Sequence, residues 1–257
     1  MGYRFDDKSV LVTGASRGIG LAVAEAFLER GADLFVLASS DSIHAVAEEL
    51  GERYRRPVNA IQSDIADRDG VSASLGVIDR LDVLVNNAGL EYITPIDDLS
   101  DAGADRFKRI IDINVLGTYY VTRSVLPKMT AGGRIVITSS IWGKTAVAEF
   151  SAYCASKHAN LGFMRSLAQE LGPRGITVNA VCPGWVRTDA AMRSLEFMAE
   201  RSGTSEHALL ADIVANQAMD GLLTPAEIVE PFLFLASAAA GNITGQTLNV
   251  DRGEVMA

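Results

Sequence analysis

Short apolar, β-branched runs alternate with longer amphipathic segments along the whole chain. Runs that are apolar at nearly every position are typical of strands buried on both faces, and apolar residues at helical spacing predict helices between them. The sequence contains no recognisable linker and no internal repeat. It predicts an α/β fold with one doubly wound domain over residues 1–257, in which helices cover both faces of a parallel seven-stranded sheet. The predicted strands are residues 8–13, 34–38, 58–62, 82–85, 134–138, 177–180 and 247–250.

The helices are predicted at residues 19–30, 42–50, 105–129, 151–171 and 226–237, with a short helix between the third and fourth strands. Gly31 and Gly51 follow the first two helical segments, where a glycine commonly ends a helix. Thr224, Pro225 and Glu227 form the pattern of a capping box with proline at the first helical position, which predicts the start of the last helix.

Composition argues against several classes of partner. The net charge of -9, without any basic block, disfavours nucleic acid and an anionic membrane surface. The longest apolar run is too short to span a bilayer and no secretion signal is recognisable, so a cytoplasmic protein is expected. The two cysteines are expected to be free buried thiols. His44, His158 and His207 lack the spacing of metal ligands, so no metal site is expected.

A glycine-rich loop, TGASRGIG at residues 13–20, joins the first strand to the first helix. Gly14 permits a sharp turn, and Gly18 and Gly20 let the backbone approach a pyrophosphate closely. The free N–H groups at the start of the helix, together with the helix dipole, favour an anion there. The loop therefore predicts a dinucleotide site, and a purely structural turn is the alternative.

The glycine spacing is G-x-x-x-G-x-G, and this segment resembles the cofactor loop of the short-chain dehydrogenase/reductase family. The resemblance covers nearly the whole chain in the expected order. It continues through Asp64-Ile65, Asn86-Asn87-Ala88-Gly89, Asn114, Ser140, Tyr153, Lys157 and Pro183-Gly184. It implies a Rossmann-fold oxidoreductase that moves a hydride between a nicotinamide cofactor and a carbonyl/alcohol pair.

The end of the second strand bears on which cofactor is preferred. In NAD-specific members an acidic residue there binds the ribose 2′-hydroxyl, whereas this chain has Ala38 followed by Ser39 and Ser40. Arg17, in the glycine loop, is similar to the basic residue that NADP-using members place beside the 2′-phosphate, and a guanidinium suits a phosphate. The sequence therefore favours NADP(H). NAD(H) is the alternative, since Asp41 is close by in sequence.

The predicted cofactor-binding residues are Gly14, Ser16, Arg17, Gly18, Ile19, Gly20, Ser39, Asp64, Ile65, Asn87, Ala88, Gly89, Tyr153, Lys157, Pro183, Gly184, Val186 and Thr188. The resemblance implies that residues 64–65 flank the adenine and that residues 87–89 pass the nicotinamide ribose. It also implies that Val186 and Thr188 hold the carboxamide. Asn86 is expected to be structural and to tie the fourth strand to its neighbours.

Tyr153 and Lys157 stand four residues apart on a predicted helix, so their side chains share one face. A tyrosine with its ordinary pKa of about 10 is a poor base at neutral pH. An ammonium roughly 4 Å away, at an effective dielectric of about 20, contributes on the order of 4 kcal/mol, which is equivalent to lowering that pKa by a few units. The pair predicts a phenol activated for proton exchange. Taken by itself, this spacing also fits two residues that simply lie on the protein surface.

The resemblance supplies two partners for this pair. Ser140 ends the fifth strand and would hold the substrate oxygen, and Ser139 is the competing serine. Asn114, inside a predicted helix, would hold a water that links Lys157 to bulk solvent. Asn114, Ser140, Tyr153 and Lys157 are therefore the predicted catalytic residues, with Tyr153 giving a proton in reduction and taking one in oxidation.

Residues 188–223 are predicted to form a helical lid over the substrate. The segment from residue 182 through the lid resembles that of 3-hydroxybutyrate dehydrogenases, which hold a carboxylate with polar or basic groups. This chain has Glu91, Trp142 and Phe150 at the corresponding places, a poor carboxylate clamp. Glu91 and Trp142, with Ser140, are the candidate substrate contacts, for hydroxyls and for a ring or sugar. The alternatives are a solvated loop for Glu91 and core packing for Trp142, and Trp185 is expected in the core.

An NADP(H)-dependent carbonyl reductase or alcohol dehydrogenase is the favoured function, acting on a small molecule. The alternatives are an NAD-dependent dehydrogenase of a sugar, polyol or hydroxy acid, and a non-catalytic nucleotide-binding protein. The resemblance implies a homo-oligomer, a tetramer or dimer, that pairs through residues 105–129 and 151–171. The apolar residues 232–235 suit either a second interface or the core.

Overall fold

The computed structural model describes residues 2–256. The strands are β1 (Ser9–Thr13), β2 (Asp33–Ala38), β3 (Val58–Gln62), β4 (Val83–Asn86), β5 (Arg134–Thr138), β6 (Thr177–Pro183) and β7 (Thr247–Val250). They form one parallel sheet in the order β3-β2-β1-β4-β5-β6-β7. The predicted seven-stranded, doubly wound α/β fold is therefore confirmed.

Helices cover both faces of this sheet. They are α1 (Gly18–Glu29), α2 (Ser42–Tyr54), α3 (Arg68–Ser74), α4 (Asp101–Ile111), α5 (Thr118–Val125), α6 (Ser151–Leu171), α7 (Asp189–Ser202), α8 (Glu206–Ala215) and α9 (Val229–Ala236). Helices α1, α2 and α9 contribute to the core on one face, and α3, α5 and α6 to the core on the other.

The central strand β1 shows why the core has two halves. Val10 and Val12 belong to the cluster under α1 and α9, whereas Leu11 points to the opposite cluster under α5 and α6. All three are fully buried, because alternate residues of a strand face opposite sides of the sheet. A strand with both faces covered needs apolar residues at consecutive positions, which is the pattern that predicted it.

The strand order creates a crevice at the carboxyl ends of β1 and β4. These strands are neighbours, but β1 continues through α1 towards β2, and β4 continues through α4 and α5 towards β5. The two connections leave in opposite directions, and ligands of open α/β sheets bind at such a switch point. Two segments follow these strands: the glycine loop of residues 13–20, which runs into the first turn of α1, and the β4–α4 loop (residues 87–100).

Two helix predictions were wrong in detail. The helix predicted at residues 105–129 begins at Asp101, because the Ser100 hydroxyl accepts from the Gly103 N–H at 3.1 Å and caps it. It then passes through a π-helical turn, Asp112–Gly117, before α5. Helix α2 does not end at Gly51 but runs to Tyr54, where Arg55 in a left-handed conformation (φ +52°) ends it.

The C-terminal part follows the prediction more closely. Strand β6 is longer than predicted, because Pro183 pairs with Val250 of β7. The capping box at Thr224 is present, although the turn it opens is 3₁₀-helical before α9 begins. Residues 232–235 lie mainly in the core, with Phe232 fully buried, so they do not supply a surface for an interface. Within residues 2–256, no helix combines the length and apolar character that crossing a bilayer requires.

Candidate active site

A cavity of about 540 Å³ opens at the carboxyl ends of the central strands. All of the predicted cofactor-binding residues line it, as do Ser140, Glu91 and Trp142. Asn114 is the exception among the predicted site residues, since it lies behind the cavity wall. We call the part around residues 14–20, 38–39 and 64–65 the cofactor end, and the part around residues 91, 140–142, 153 and 193 the substrate end.

Backbone sterics shape the glycine loop. Gly14 and Gly18 have positive φ angles of +66° and +59°, which favour glycine. A Cβ atom on Gly14 would lie 2.7 Å from the Cα of Ala88, and one on Gly20 only 2.2 Å from the carbonyl oxygen of Gly14. Helix α1 begins at Gly18 with no side-chain cap, so the N–H groups of its first turn are open towards the cavity. This cradle fits a dinucleotide phosphate.

A hydrogen-bond network joins β1, β4 and β5 beneath the cavity. The Thr13 hydroxyl accepts from the N–H groups of Asn87 and Ala88, both at 3.0 Å. The Asn87 amide donates to the carbonyl of Thr13 at 3.1 Å and accepts from the Thr138 hydroxyl at 3.2 Å. Asn86 donates to a threonine hydroxyl of α5 at 2.9 Å, which is the structural role expected for it.

The end of β2 carries no carboxylate into the cavity. Ser39 and Arg17 are exposed and line the cofactor end, whereas Ser40 and Asp41 do not line it. Across residues 2–256 Arg17 makes no ion pair. A guanidinium and a hydroxyl with unused donors therefore face this corner. Asp41, the acidic residue that favoured the NAD(H) alternative, does not line it.

Asp64 and Ile65 form the far wall of the cofactor end. The Asp64 carboxylate accepts from Arg109 at 2.6 Å and from the Ala66 N–H at 3.0 Å. Burial raises the pKa of Asp64, but these hydrogen bonds outweigh it and the pKa falls below its usual range. Ile65 packs against Gly117, where a Cβ atom would lie 2.6 Å from its side chain. Arg109 also lines the cavity, and the sequence did not single it out.

The β4–α4 loop fixes the start of the helix that carries Tyr153 and Lys157. Helix α6 has no cap from Phe150, the residue before it. Instead, the Thr94 hydroxyl accepts from the N–H of Ala152 at 3.0 Å, and the Ser151 hydroxyl donates to the carbonyl of Thr94 at 3.0 Å. The position of Tyr153 is therefore coupled to the loop that carries Glu91.

Lys157 is buried beside Tyr153. Its Nζ donates to the carbonyl of Thr138 at 2.8 Å and lies 5.4 Å from the centre of the Tyr153 ring. Burial lowers the pKa of Lys157 to about 8, although the nearby Glu91 carboxylate raises it. The Ser139 hydroxyl donates to the carbonyl of Lys157 at 3.1 Å, so this serine is used to hold α6. Ser140 is the serine that lowers the pKa of Tyr153.

The expectation that Lys157 lowers the pKa of Tyr153 is not met. Burial raises the pKa of Tyr153 well above its usual value, and Glu91 raises it further, whereas Ser140 lowers it. A phenolate loses more from leaving water than a phenol does, and the neighbouring carboxylate repels it. Tyr153 is therefore protonated at neutral pH, the form that donates a proton to a carbonyl oxygen.

Asn114 lies in the π-helical turn and is fully buried. Its carbonyl Oδ1 accepts from the N–H of Leu90 at 2.7 Å, and its Nδ2 donates to the carbonyl of Leu90 and to the Ser156 hydroxyl, both at 2.9 Å. The side chain uses both of its N–H groups in bonds to protein oxygens, and the water expected at this residue stays a prediction. It joins the β4–α4 loop to α6, as π-turns at functional sites often help to do.

Aromatic side chains form one wall of the substrate end. The Trp142 ring lies 5.1 Å from Phe150, 6.0 Å from Tyr153 and 5.7 Å from Trp185, measured between ring centres. Trp142 therefore both packs and lines the cavity, and the buried Trp185 lines it too. Trp185 was expected only in the core.

Helix α7, in the segment predicted to be a lid, contributes a residue that the sequence did not indicate. Arg193 of α7 lines the cavity, with its guanidinium 4.7 Å from the centre of the Tyr92 ring. Its Nη2 donates to the carbonyl of Glu91 at 3.4 Å. Because helical spacing alone says nothing of which loop a lid helix approaches, no sequence signal marked this contact.

The comparisons with known proteins agree with this geometry. The family described as short chain dehydrogenase matches residues 8–199. The chain is similar to the oxidoreductase UcpA of Salmonella typhimurium, with 38% identity over 257 residues that cover 97% of this chain and 95% of that protein. It is also similar to the D-beta-hydroxybutyrate dehydrogenase of Cupriavidus necator, with 34% identity over 255 residues, 96% of this chain and 98% of that protein.

Among solved structures, the L-sorbose reductase from Gluconobacter frateurii, complexed with NADPH and L-sorbose, is similar with a TM-score of 0.88 and 27% identity. The similarity covers 100% of both chains. The match to the family extends over most of the residues, and the relatives align over nearly their whole length. The chain therefore belongs to the short-chain dehydrogenase family and is an oxidoreductase of carbonyl and alcohol groups, as its sequence predicted.

Proposed function

We propose that this enzyme transfers a hydride between NADP(H) and a ketone or secondary alcohol, with Tyr153 exchanging the proton at the substrate oxygen. The observation that carries the proposal is that Ser140, Tyr153 and Lys157 line the same cavity as the glycine loop. When bound, the cofactor supplies the hydride in reduction and accepts it in oxidation.

Tyr153 and Ser140 act on the substrate oxygen. In reduction, the carbonyl carbon gains a hydride and its oxygen gains the phenolic proton of Tyr153, so that the carbonyl becomes an alcohol. The raised pKa of Tyr153 keeps it protonated for this step. The Ser140 hydroxyl is a neutral donor that stabilises the negative charge that develops on the oxygen. Oxidation runs the same steps in reverse.

Lys157 and Asn114 assist Tyr153 without contacting the substrate oxygen. Lys157 has an ammonium with a pKa of about 8, so it carries charge at neutral pH and stabilises the phenolate left after proton transfer. It also faces the cofactor end, where it is proposed to bind the ribose hydroxyls. Asn114 is a positioning residue, since it fixes Leu90 and Ser156 on either side of this group.

The preference for NADP(H) over NAD(H) rests on the corner formed by Arg17, Ala38 and Ser39. Arg17 and Ser39 would hold a 2′-phosphate with charge and hydrogen bonds, and Ala38 leaves out the carboxylate that would repel it. The sorbose reductase that this chain resembles was solved with NADPH, which supports the same choice.

The experiment is a panel of ketones, aldehydes and ketoses assayed with NADPH and with NADH by absorbance at 340 nm. We expect turnover with NADPH at a kcat/KM about tenfold or more above that with NADH, because a charge-assisted contact contributes about 1.5–3 kcal/mol. Binding of NADPH without turnover of any carbonyl would instead support a non-catalytic nucleotide-binding protein. A higher kcat/KM with NADH would support the NAD-dependent alternative.

Assembly and location complete the proposal. Phe107, Leu116 and Tyr119 are exposed along the α4–α5 segment, and Phe163 of α6 packs beside Tyr119. Such an apolar patch supports a homo-oligomer, a dimer or tetramer, that pairs through α4, α5 and α6. The protein is proposed to act in the cytoplasm. Sedimentation equilibrium tests the assembly, and a monomer at micromolar concentration would contradict it.

A further inference from the structure

Glu91 is a carboxylic acid at the substrate end that has no ion-pair partner among the described residues. It is partly buried in the cavity wall, and the Ser194 hydroxyl of α7 is near enough to lower the pKa of its carboxyl group. Burial raises the pKa of Glu91, whereas the nearby Lys157 and Arg193 cations act to lower it. A carboxylate has about four lone-pair sites, and this single hydroxyl can use only one of them. Glu91 therefore keeps acceptor sites for a ligand.

Arg193 is the complementary donor. Its guanidinium lies over the Tyr92 ring, and its hydrogen bond to the carbonyl of Glu91 is long, at 3.4 Å. Its Nε is buried with no hydrogen-bond partner within the described part of the chain. Buried polar groups in native proteins are nearly always hydrogen-bonded. A ligand in the cavity would be bound by the two Nη groups of Arg193, for which the structure gives a single bond, the long one from Nη2 to the carbonyl of Glu91.

Trp142 gives this polar pair a flat apolar neighbour. Its ring is partly exposed in the cavity, and three other aromatic rings lie within about 6 Å of it and hold it in place. An indole face packs well against the C–H face of a sugar, while the hydroxyls around the ring need donors and acceptors together. An acid, a guanidinium and a fixed indole meet those two requirements at one place.

We propose that Glu91, Arg193 and Trp142 form a subsite for a neutral polyhydroxylated substrate, a ketose in reduction or a polyol in oxidation. Glu91 accepts hydrogen bonds from substrate hydroxyls and Arg193 donates to their oxygens. This inference rests on the proposed function, because it names the substrate class of the same site.

Two other substrate classes fit less well. An aliphatic ketone would cover Glu91 and Arg193 without bonding to them, and unpaired buried polar groups are costly. A short oxo acid would bring a second negative charge beside Glu91, and the two carboxylates would repel each other. A chain of hydroxyls satisfies both residues without adding charge.

The test compares fructose, 2-hexanone and acetoacetate as probes, with wild type and Glu91→Gln. Wild type is expected to reduce fructose with a kcat/KM about 100-fold above that for 2-hexanone, since sites built to bond hydroxyls strongly reject analogues that lack them. In Glu91→Gln, the ratio of kcat/KM for fructose to kcat/KM for 2-hexanone is expected to fall about tenfold, because the neutral amide loses the charge-assisted bonds. Glu196→Gln, an exposed carboxylate on the same helix as Arg193, is the matched control and should leave the ratio unchanged.

A second measurement is independent of turnover. Trp142 and Trp185 are the two tryptophans of the chain, and both line this cavity, so intrinsic fluorescence reports on the subsite. With NADP⁺ present, fructose is expected to quench the fluorescence with a Kd that Glu91→Gln raises about tenfold and Glu196→Gln does not change.

The outcomes separate the two proposals. Wild type that turns over 2-hexanone or acetoacetate as well as fructose would overturn the subsite and leave the oxidoreductase proposal standing. The subsite would also be overturned if correctly folded Glu91→Gln kept both the wild-type kcat/KM ratio of fructose to 2-hexanone and the wild-type Kd for fructose. If fructose quenched the tryptophans in the expected pattern but no probe was reduced, the subsite would stand and the proposed hydride transfer would fail.

Discussion

The cofactor end and the substrate end of the cavity are built in different ways. At the cofactor end, the backbone conformation determines which residues fit, since a Cβ atom on Gly14 or Gly20 would collide with neighbouring main chain. At the substrate end, three separate segments supply the side chains Glu91, Trp142 and Arg193. The first end allows little variation, whereas the second can change its side chains without breaking the fold. One scaffold can therefore keep its cofactor and change its substrate.

Among the variants that compare the two ends, the largest expected effect distinguishes two neighbouring serines at the substrate end. Ser140→Ala is expected to lower kcat about 10²–10³-fold, the usual loss when a donor to a developing oxyanion is removed. Ser139→Ala removes the bond to the Lys157 carbonyl, so it is expected to cost about 1 kcal/mol of stability and little turnover. Steady-state kinetics and thermal melts on both variants check this. Equal losses of kcat in the two would refute the assignment.

Gly20→Ala probes the cofactor end. Its Cβ atom would lie 2.2 Å from the carbonyl oxygen of Gly14, and overpacking typically costs about 1–3 kcal/mol. The Kd for NADPH, measured by nicotinamide fluorescence, is expected to rise up to about 100-fold. Gly76→Ala is the control, because nothing lies within 4 Å of its Cβ position. If Gly20→Ala bound NADPH as wild type does, backbone sterics would not define this end.

Arg17→Gln tests the charge that distinguishes the two cofactors. We expect the KM for NADPH to rise about tenfold to 100-fold, as a charge-assisted bond of about 1.5–3 kcal/mol is lost. The KM for NADH should change less than about twofold, because NADH has no 2′-phosphate. Arg68→Gln, an exposed arginine paired with Asp69, serves as the control. A parallel rise for both cofactors would mean that Arg17 binds the shared pyrophosphate.

The smallest effect is a shift in pH dependence through Glu91. Oxidation needs the Tyr153 phenolate, so its rate rises with pH towards the pKa of Tyr153, which burial and Glu91 both raise. Glu91→Gln removes the negative charge and lowers the pKa of both Tyr153 and Lys157. The rising limb of kcat/KM for oxidation should therefore move to lower pH. A limb that stayed in place, or moved to higher pH, would show that Glu91 does not act on Tyr153.

Most of the fold and the cofactor end were predictable because their signals are local. Short runs rich in apolar and β-branched residues marked the seven strands, and the glycines of residues 14–20 marked the loop between β1 and α1. The spacing of Tyr153 and Lys157 is also local, since four residues on one helix must share a face. These features depend on residues within a few positions of each other.

The substrate end was less predictable because it depends on how distant segments approach. The π-turn that buries Asn114 and the approach of Arg193 to Tyr92 leave no pattern in the nearby sequence. The predicted direction of the pKa shift of Tyr153 was wrong for the same reason. Spacing indicated the ammonium of Lys157, but burial and the Glu91 carboxylate come from the tertiary structure.

The most direct test of the central claim is single-turnover hydride transfer in Tyr153→Phe, followed by NADPH absorbance, with NADPH binding measured on the same sample. Tyr54→Phe, which loses a surface hydroxyl bonded to Glu25, is the control. If Tyr153 supplies the proton, the rate falls about 10²–10⁴-fold while the Kd for NADPH stays within about threefold. A rate within a few-fold of wild type would show that another group carries the proton.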